Sequence, residues 1–134
     1  AVVPKFIFAM RNGRAPVIYG DGHQSRDFVF VKDVADANEK ALVAQKGFGE
    51  VFNIASGKSV SILELYKALA KDTGFGSPPR FEPAREGDIR KSGAGIRKAE
   101  KMLGFKPSTT LESGLRETVR WFAGRMDAKK SDLK

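Results

Sequence analysis

Two arginines stand where chemistry could use them. Arg26 opens the run RDFVFV just after the turn Gly20-Asp21-Gly22, and Arg85 lies in the bent segment PAREGDI with Asp88 three residues on. The planar guanidinium fork matches phosphate oxygens in pairs, and loop glycines let backbone amides approach an anion. Each arginine also has a plain surface explanation. Arg26 can pair with Asp27 or Asp21, and Arg85 with Glu86; exposed pairs of that kind are worth about 0–1 kcal/mol. On these residues alone the phosphate clamp and the solvated ion pair both stay open.

Other chemistries fail on residue count. The 134 residues hold no cysteine and a single histidine, His23. That removes thiolate nucleophiles, disulfides and any site needing two imidazoles, and it fits a reducing, cytoplasmic location. There is no phosphate-binding G-x-x-x-x-G-K-[ST] loop. Gly20 and Gly22 begin a G-x-G, but Ser25 stands where the third glycine of a dinucleotide fingerprint belongs. His23 sits in a turn without a G-x-S-x-G elbow, so a serine triad does not assemble. No catalytic residue and no metal ligand is assigned.

The net charge of +8 points to an anionic partner without saying which. A basic nucleic-acid-binding module is one reading of it. Against that, Phe6, Phe28, Phe30, Phe52 and Phe122 fall at core spacing and do not form an exposed stacking platform. The apolar runs are too short to span a bilayer. The opening AVVPKFIFAM lacks the basic region and cleavage site of a signal peptide, and it begins as if mid-helix, as a fragment or processed chain would.

The elements that must position these residues follow from periodicity. Val3, Phe6, Ile7 and Met10 predict an amphipathic helix stopped at Gly13. APVIYG reads as a strand ended by the glycine turn, RDFVFV as a strand covered on both faces, and EVFNIASG as a third. Asp33 is placed to cap a helix from Val34 to Lys46, closed by Gly47. Ser61 and Glu64 form a capping box for a helix ending near Gly74, with Val60 and Leu65 as its staple. A Gly- and Pro-rich middle should be loop with a short strand at Arg80-Phe81. Helical spacing then resumes at Ile96, Ala99, Met102 and Leu103, and again after Thr109, where Glu112 completes a second box and Leu111, Leu115, Val119 and Phe122 form the stripe. Strands alternating with helices give an α/β class, with too few strands for a complete doubly wound sheet.

Four ordered blocks, VIYGDGHQSRDFVFVKDVADA, EVFNIASGKSVSILEL, PAREGDIRKSGAGIRKAEKMLGFKP and TLESGLRETVRWF, carry a resemblance. Together they resemble the C-terminal portion of extended short-chain dehydrogenases of the NAD-dependent epimerase/dehydratase family, most like the UDP-glucose 4-epimerases. The resemblance implies the substrate-binding part of an extended Rossmann-fold enzyme, with a helix and strand that complete its NAD-binding sheet. Residues 1–27 would belong to the substrate part, 28–56 to the sheet, 57–124 to the substrate part and C-terminal helices, and 125–134 to a disordered basic tail. It implies that Arg26 meets the substrate diphosphate, that Arg85 and Asp88 meet phosphate and ribose, and that Val17 and Tyr19 meet the uracil through their backbone, with Gln24 near the same ligand.

It further implies UDP-sugar as substrate, NAD as cofactor, 4-epimerase activity with 4,6-dehydratase as the alternative, and a homodimeric full-length enzyme. The isolated chain would be prone to self-association. The family's NAD fingerprint and Tyr-x-x-x-Lys pair are missing: Tyr19 and Tyr66 are followed four positions on by His23 and Ala70. These residues are therefore expected to be inactive alone. Gly95 stands where the family carries an aspartate, which costs the next helix a cap.

Overall fold

The computed structural model describes residues 1–131. In chain order the elements are α1 (Val2–Arg11), β1 (Val17–Tyr19), β2 (Ser25–Asp27), α2 (Val31–Val43), β3 (Ser59–Ser61), α3 (Ile62–Thr73), β4 (Arg80–Glu82), α4 (Arg97–Leu103) and α5 (Leu111–Ser131). The fold is α/β, as read from the sequence. The chain folds into two compact units: residues 1–24, 61–88 and 112–134 make the first, and 25–60 with 89–111 the second. Among the described residues no helix is long and apolar enough to cross a membrane.

In the first unit α1 packs on α3. The predicted stripe of α1 buries Phe6, Ile7 and Met10, and α3 buries Ile62, Leu65, Tyr66 and Leu69. The Phe6 ring meets the edge of Tyr66 at 6.4 Å, and the Tyr66 hydroxyl donates to the Ser77 carbonyl. The capping box forms as read: Glu64 N–H donates to Ser61 Oγ at 3.1 Å, and Ser61 N–H returns to Glu64 Oε2 at 2.8 Å. Gly74 closes α3 at φ +70°. Strands β1 and β4 pair in parallel, Val17 with Arg80 and Tyr19 with Glu82. On α5, Leu115 and Val119 are buried.

The second unit has a small core of Ala37, Ala99 and Phe105, with Phe52, Ile54 and Leu103 against it. Here the structure departs from three sequence expectations. RDFVFV is strand only as far as Asp27, where β2 pairs with β3, and Phe30 already caps α2 in extended conformation. EVFNIASG is not a strand; it contributes Phe52 and Ile54 to the core as irregular chain. A strand needs a partner ladder, and within this chain these apolar runs have none beyond Asp27. Asp33 is not the cap of α2 but lies in its first turn, buried at 3% exposure.

Asp33 is instead a hub. Its Oδ1 accepts from Ser108 N–H (3.1 Å), Ser108 Oγ (2.9 Å) and Thr109 Oγ1 (3.2 Å), and its Oδ2 accepts from Thr109 N–H (3.2 Å). Burial works against its charge, but these bonds outweigh it and hold the carboxyl below its ordinary value. Thr109, expected as the cap of the last helix, is thereby committed to Asp33, and α5 starts at Leu111. The expected tail from 125 is instead helical as far as Ser131. Residues 132–134 lie outside the described residues.

Candidate functional site

The site of the first unit grows from one strand edge. Arg80 N–H donates to the Pro16 carbonyl at 2.9 Å and Gly20 N–H to the Glu82 carbonyl at 2.8 Å. Bonds in a ladder come from alternate residues, so positions 16, 18 and 20 face β4. The backbone groups of Val17 and Tyr19 face the opposite edge, where no strand pairs with β1 among the described residues. The Tyr19 carbonyl accepts from Gln24 Nε2 at 2.7 Å. That leaves the Val17 N–H, the Val17 carbonyl and the Tyr19 N–H on the open edge, an acceptor between two donors.

This edge borders a cavity of about 800 Å³. Val2, Phe6, Pro16 and Val17 give it apolar walls; Lys5, Arg14, Arg80 and Arg85 line it with positive charge, and no carboxylate does. Arg80 is engaged with Glu82 at 2.9 Å. Arg85 makes no ion pair with Glu86; its guanidinium carbon lies 3.7 Å from the centre of the Tyr19 ring. An aromatic face, a strand edge and a lining of cations with no carboxylate among them suit a flat, hydrogen-bonding ring joined to an anion.

The candidate residues divide as follows. Val17, Tyr19 and Arg85 line the cavity together. Gln24 is buried, does not line it, and spends its amide on Tyr19. Asp88 is exposed and closes the turn after Arg85, donating its N–H to the Arg85 carbonyl at 3.2 Å. Arg26 belongs to the second unit, where its Nη1 donates to the carbonyls of Ser25 (2.8 Å) and Ile89 (2.5 Å). Asp27 pairs with backbone rather than with Arg26, accepting from the N–H groups of Ser56 and Gly57 at 2.7 and 2.9 Å. Sequence reading missed Lys5, Arg14 and Arg80. The parallel pairing of β1 with β4 brings the starts of both strands, and with them Arg14 and Arg80, to one end, while Lys5 comes from α1.

Comparison with known proteins gives the lineage. The profile of the family described as GDP-mannose 4,6 dehydratase matches residues 1–118. The chain belongs to the GDP-mannose 4,6-dehydratase family. Within and around this family it is similar to the UDP-glucose 4-epimerase of Mycolicibacterium smegmatis, 39% identical over 92% of this chain and 39% of that protein. It is also similar to the solved UDP-glucose 4-epimerase of Thermotoga maritima with UDP-glucose, at 39% identity and TM-score 0.88 over 94% of this chain and 40% of that one. A third is the UDP-glucuronic acid 4-epimerase of Bacillus cereus in complex with NAD, at 30% identity and TM-score 0.79 over 90% and 37%. The chain thus spans about two-fifths of the length of these relatives.

NAD is a cofactor of this family's solved relatives, but the residues present here do not fit it. The sequence has no glycine fingerprint. At the Gly20–Gly22 turn the side-chain position of Gly22 is filled by protein, since a Cβ there would lie 2.7 Å from Leu63 Cγ and 3.2 Å from Ile18 Cγ2. Among the described residues no group of three His, Asp or Glu side chains is placed to hold a metal.

Proposed function

We propose that these residues form the nucleotide-sugar-binding portion of an NAD-dependent UDP-sugar 4-epimerase. The observation that carries the reading is the open edge of β1 beside the Tyr19–Arg85 stack in a basic cavity without carboxylates. A uracil offers an N–H donor next to a carbonyl acceptor, the complement of the Val17 carbonyl and the Tyr19 N–H. Arg85 and Arg26 supply charge-assisted bonds to the diphosphate, worth about 1.5–3 kcal/mol each, and Asp88 accepts from the ribose. Such an anchor holds the nucleotide while the sugar is free to turn over between its two faces.

Hydride transfer through NAD is assigned to chain outside these residues. The second unit supports a junction with such chain: Leu42, Val43, Phe48 and Val51 are 71–87% exposed, more apolar surface than a finished domain leaves open. Segment 28–56 is the part proposed to join the cofactor sheet, and the complete enzyme is proposed to be a homodimer.

The family description itself favours a second reading, a nucleotide-sugar 4,6-dehydratase. Supplying the enzyme with UDP-glucose separates them, since an epimerase returns UDP-galactose and a dehydratase a 4-keto-6-deoxy sugar. Titration of this chain with UDP and with single-stranded RNA tests the binding reading. Saturable UDP binding, unaffected by RNA, is expected; tight RNA binding with a steep salt slope and no UDP competition would replace it with the nucleic-acid reading.

A further inference from the structure

The PAREGDI loop reaches the site by crossing the turn that ends β1. Glu82 is the last residue of β4, and its carbonyl accepts from Gly20 N–H at 2.8 Å. Pro83 follows with no N–H to continue the ladder, so the chain leaves the sheet there. Two residues later Arg85 is back over β1, its guanidinium carbon 3.7 Å from the centre of the Tyr19 ring. Between these points Ala84 covers Gly20: a Cβ on Gly20 would lie 3.5 Å from Ala84 Cβ and 3.8 Å from Ala84 Cα.

Those distances set a size limit. They are ordinary van der Waals contact, so a methyl group would fill the space between turn and loop, and a leucine would displace the loop. Gly20 also holds φ +71°, a conformation that strains any side-chain-bearing residue. That strain is nearly the same for alanine and leucine while their lengths differ, so the two effects can be separated. Tyr19 and Arg85 are the residues next to Gly20 and Ala84, so parting the small pair lifts the guanidinium from the ring. We infer that Gly20 and Ala84 are positioning residues, whose small size sets the height of the PAREGDI loop above β1 and so the place of the Arg85 guanidinium in the site.

This role in binding rests on the proposed reading of Arg85 as a diphosphate ligand, and two readouts keep the two apart. Upfield ring-current shifts of the Arg85 side-chain protons, assigned by their loss in Arg85→Ala, report the seat by NMR with no ligand present. Dissociation constants of UDP and uridine for the 134-residue chain report what the arginine adds beyond the nucleoside. In Gly20→Leu the shifts should disappear and the UDP-over-uridine preference should fall by about fivefold or more. In Gly20→Ala the shifts should persist and the fall should stay under about twofold, since the methyl fits. Should Gly20→Leu not fold, Ala84→Leu fills the same space from the loop without strain at positive φ and must give both losses. Retained shifts in the leucine variant, or equal losses in Gly20→Ala and Gly20→Leu, overturn the role of the small pair. Lost shifts with an unchanged preference uphold the positioning and end the reading of Arg85 as a diphosphate ligand.

Discussion

The central guanidinium carbon of Arg85 sits 3.7 Å from the centre of the Tyr19 ring, across 66 residues of sequence. The stack fixes the direction of an otherwise exposed, unpaired cation. It also ties the PAREGDI loop to the strand that carries the open edge. Cation–π contact contributes about 0.5–2 kcal/mol according to its desolvation, and arginine differs from lysine here because its plane can stack. Arg85→Lys, which keeps the charge, should weaken UDP binding about five- to tenfold by calorimetry, and Arg85→Ala more. Equal affinities for parent and Arg85→Lys would show that charge alone matters.

Arg26 is held differently, by two backbone carbonyls on Nη1. Those bonds fix one nitrogen of the guanidinium against the backbone. Arg26→Ala should raise the UDP dissociation constant at least tenfold while leaving the melting temperature within a few degrees. Binding at parental strength would remove Arg26 from the diphosphate site.

Asp33 makes stability depend on pH with a definite sign. Its folded-state value lies below the ordinary one, so the unfolded chain takes up the proton first as pH falls. The stabilisation is complete above the ordinary carboxylate value of about 4 and is lost as pH drops through the lower folded value. Asp33→Asn should lose roughly 1–3 kcal/mol at neutral pH. It should also show a shallower decline than the parent in denaturant melts between about pH 5 and pH 2. Parallel pH profiles would mean that another group carries the acid sensitivity.

Gly22 combines φ +76° with almost no room for a side chain beside Leu63. Gly22→Ala should destabilise the chain by about 1–3 kcal/mol, from backbone strain and the displaced leucine together. Gly13, also at positive φ but with nothing within 4 Å of its Cβ position, is the control. A Gly22→Ala variant no less stable than Gly13→Ala would show that the contact with Leu63 is soft.

What could be read from the residues was what is decided within a few of them. The Ser61–Glu64 box, the αL stop at Gly74 and the buried stripe of α1 depend on neighbours three or four positions apart, and all three formed. RDFVFV and EVFNIASG were read as strands because apolar runs with β-branched and aromatic residues look alike whether or not a ladder awaits them. Asp33 looked like a cap because its true partners, Ser108 and Thr109, are 75 and 76 residues away. The same distance hid the Tyr19–Arg85 stack. Arg85 was found as an anion-seeking residue by its type and loop, while the ring beneath it was not.

The parallel pairing of β1 with β4 also sets an order of events during synthesis. Tyr19 meets Glu82 in register, so at ordinary elongation rates β1 waits on the order of 3–12 s on the ribosome before its partner exists. Gln24, five residues away, is translated almost at once. The local bond to the Tyr19 carbonyl can therefore form first, on the edge that faces away from β4, while the β4-facing edge stays unpaired until Glu82 has been made.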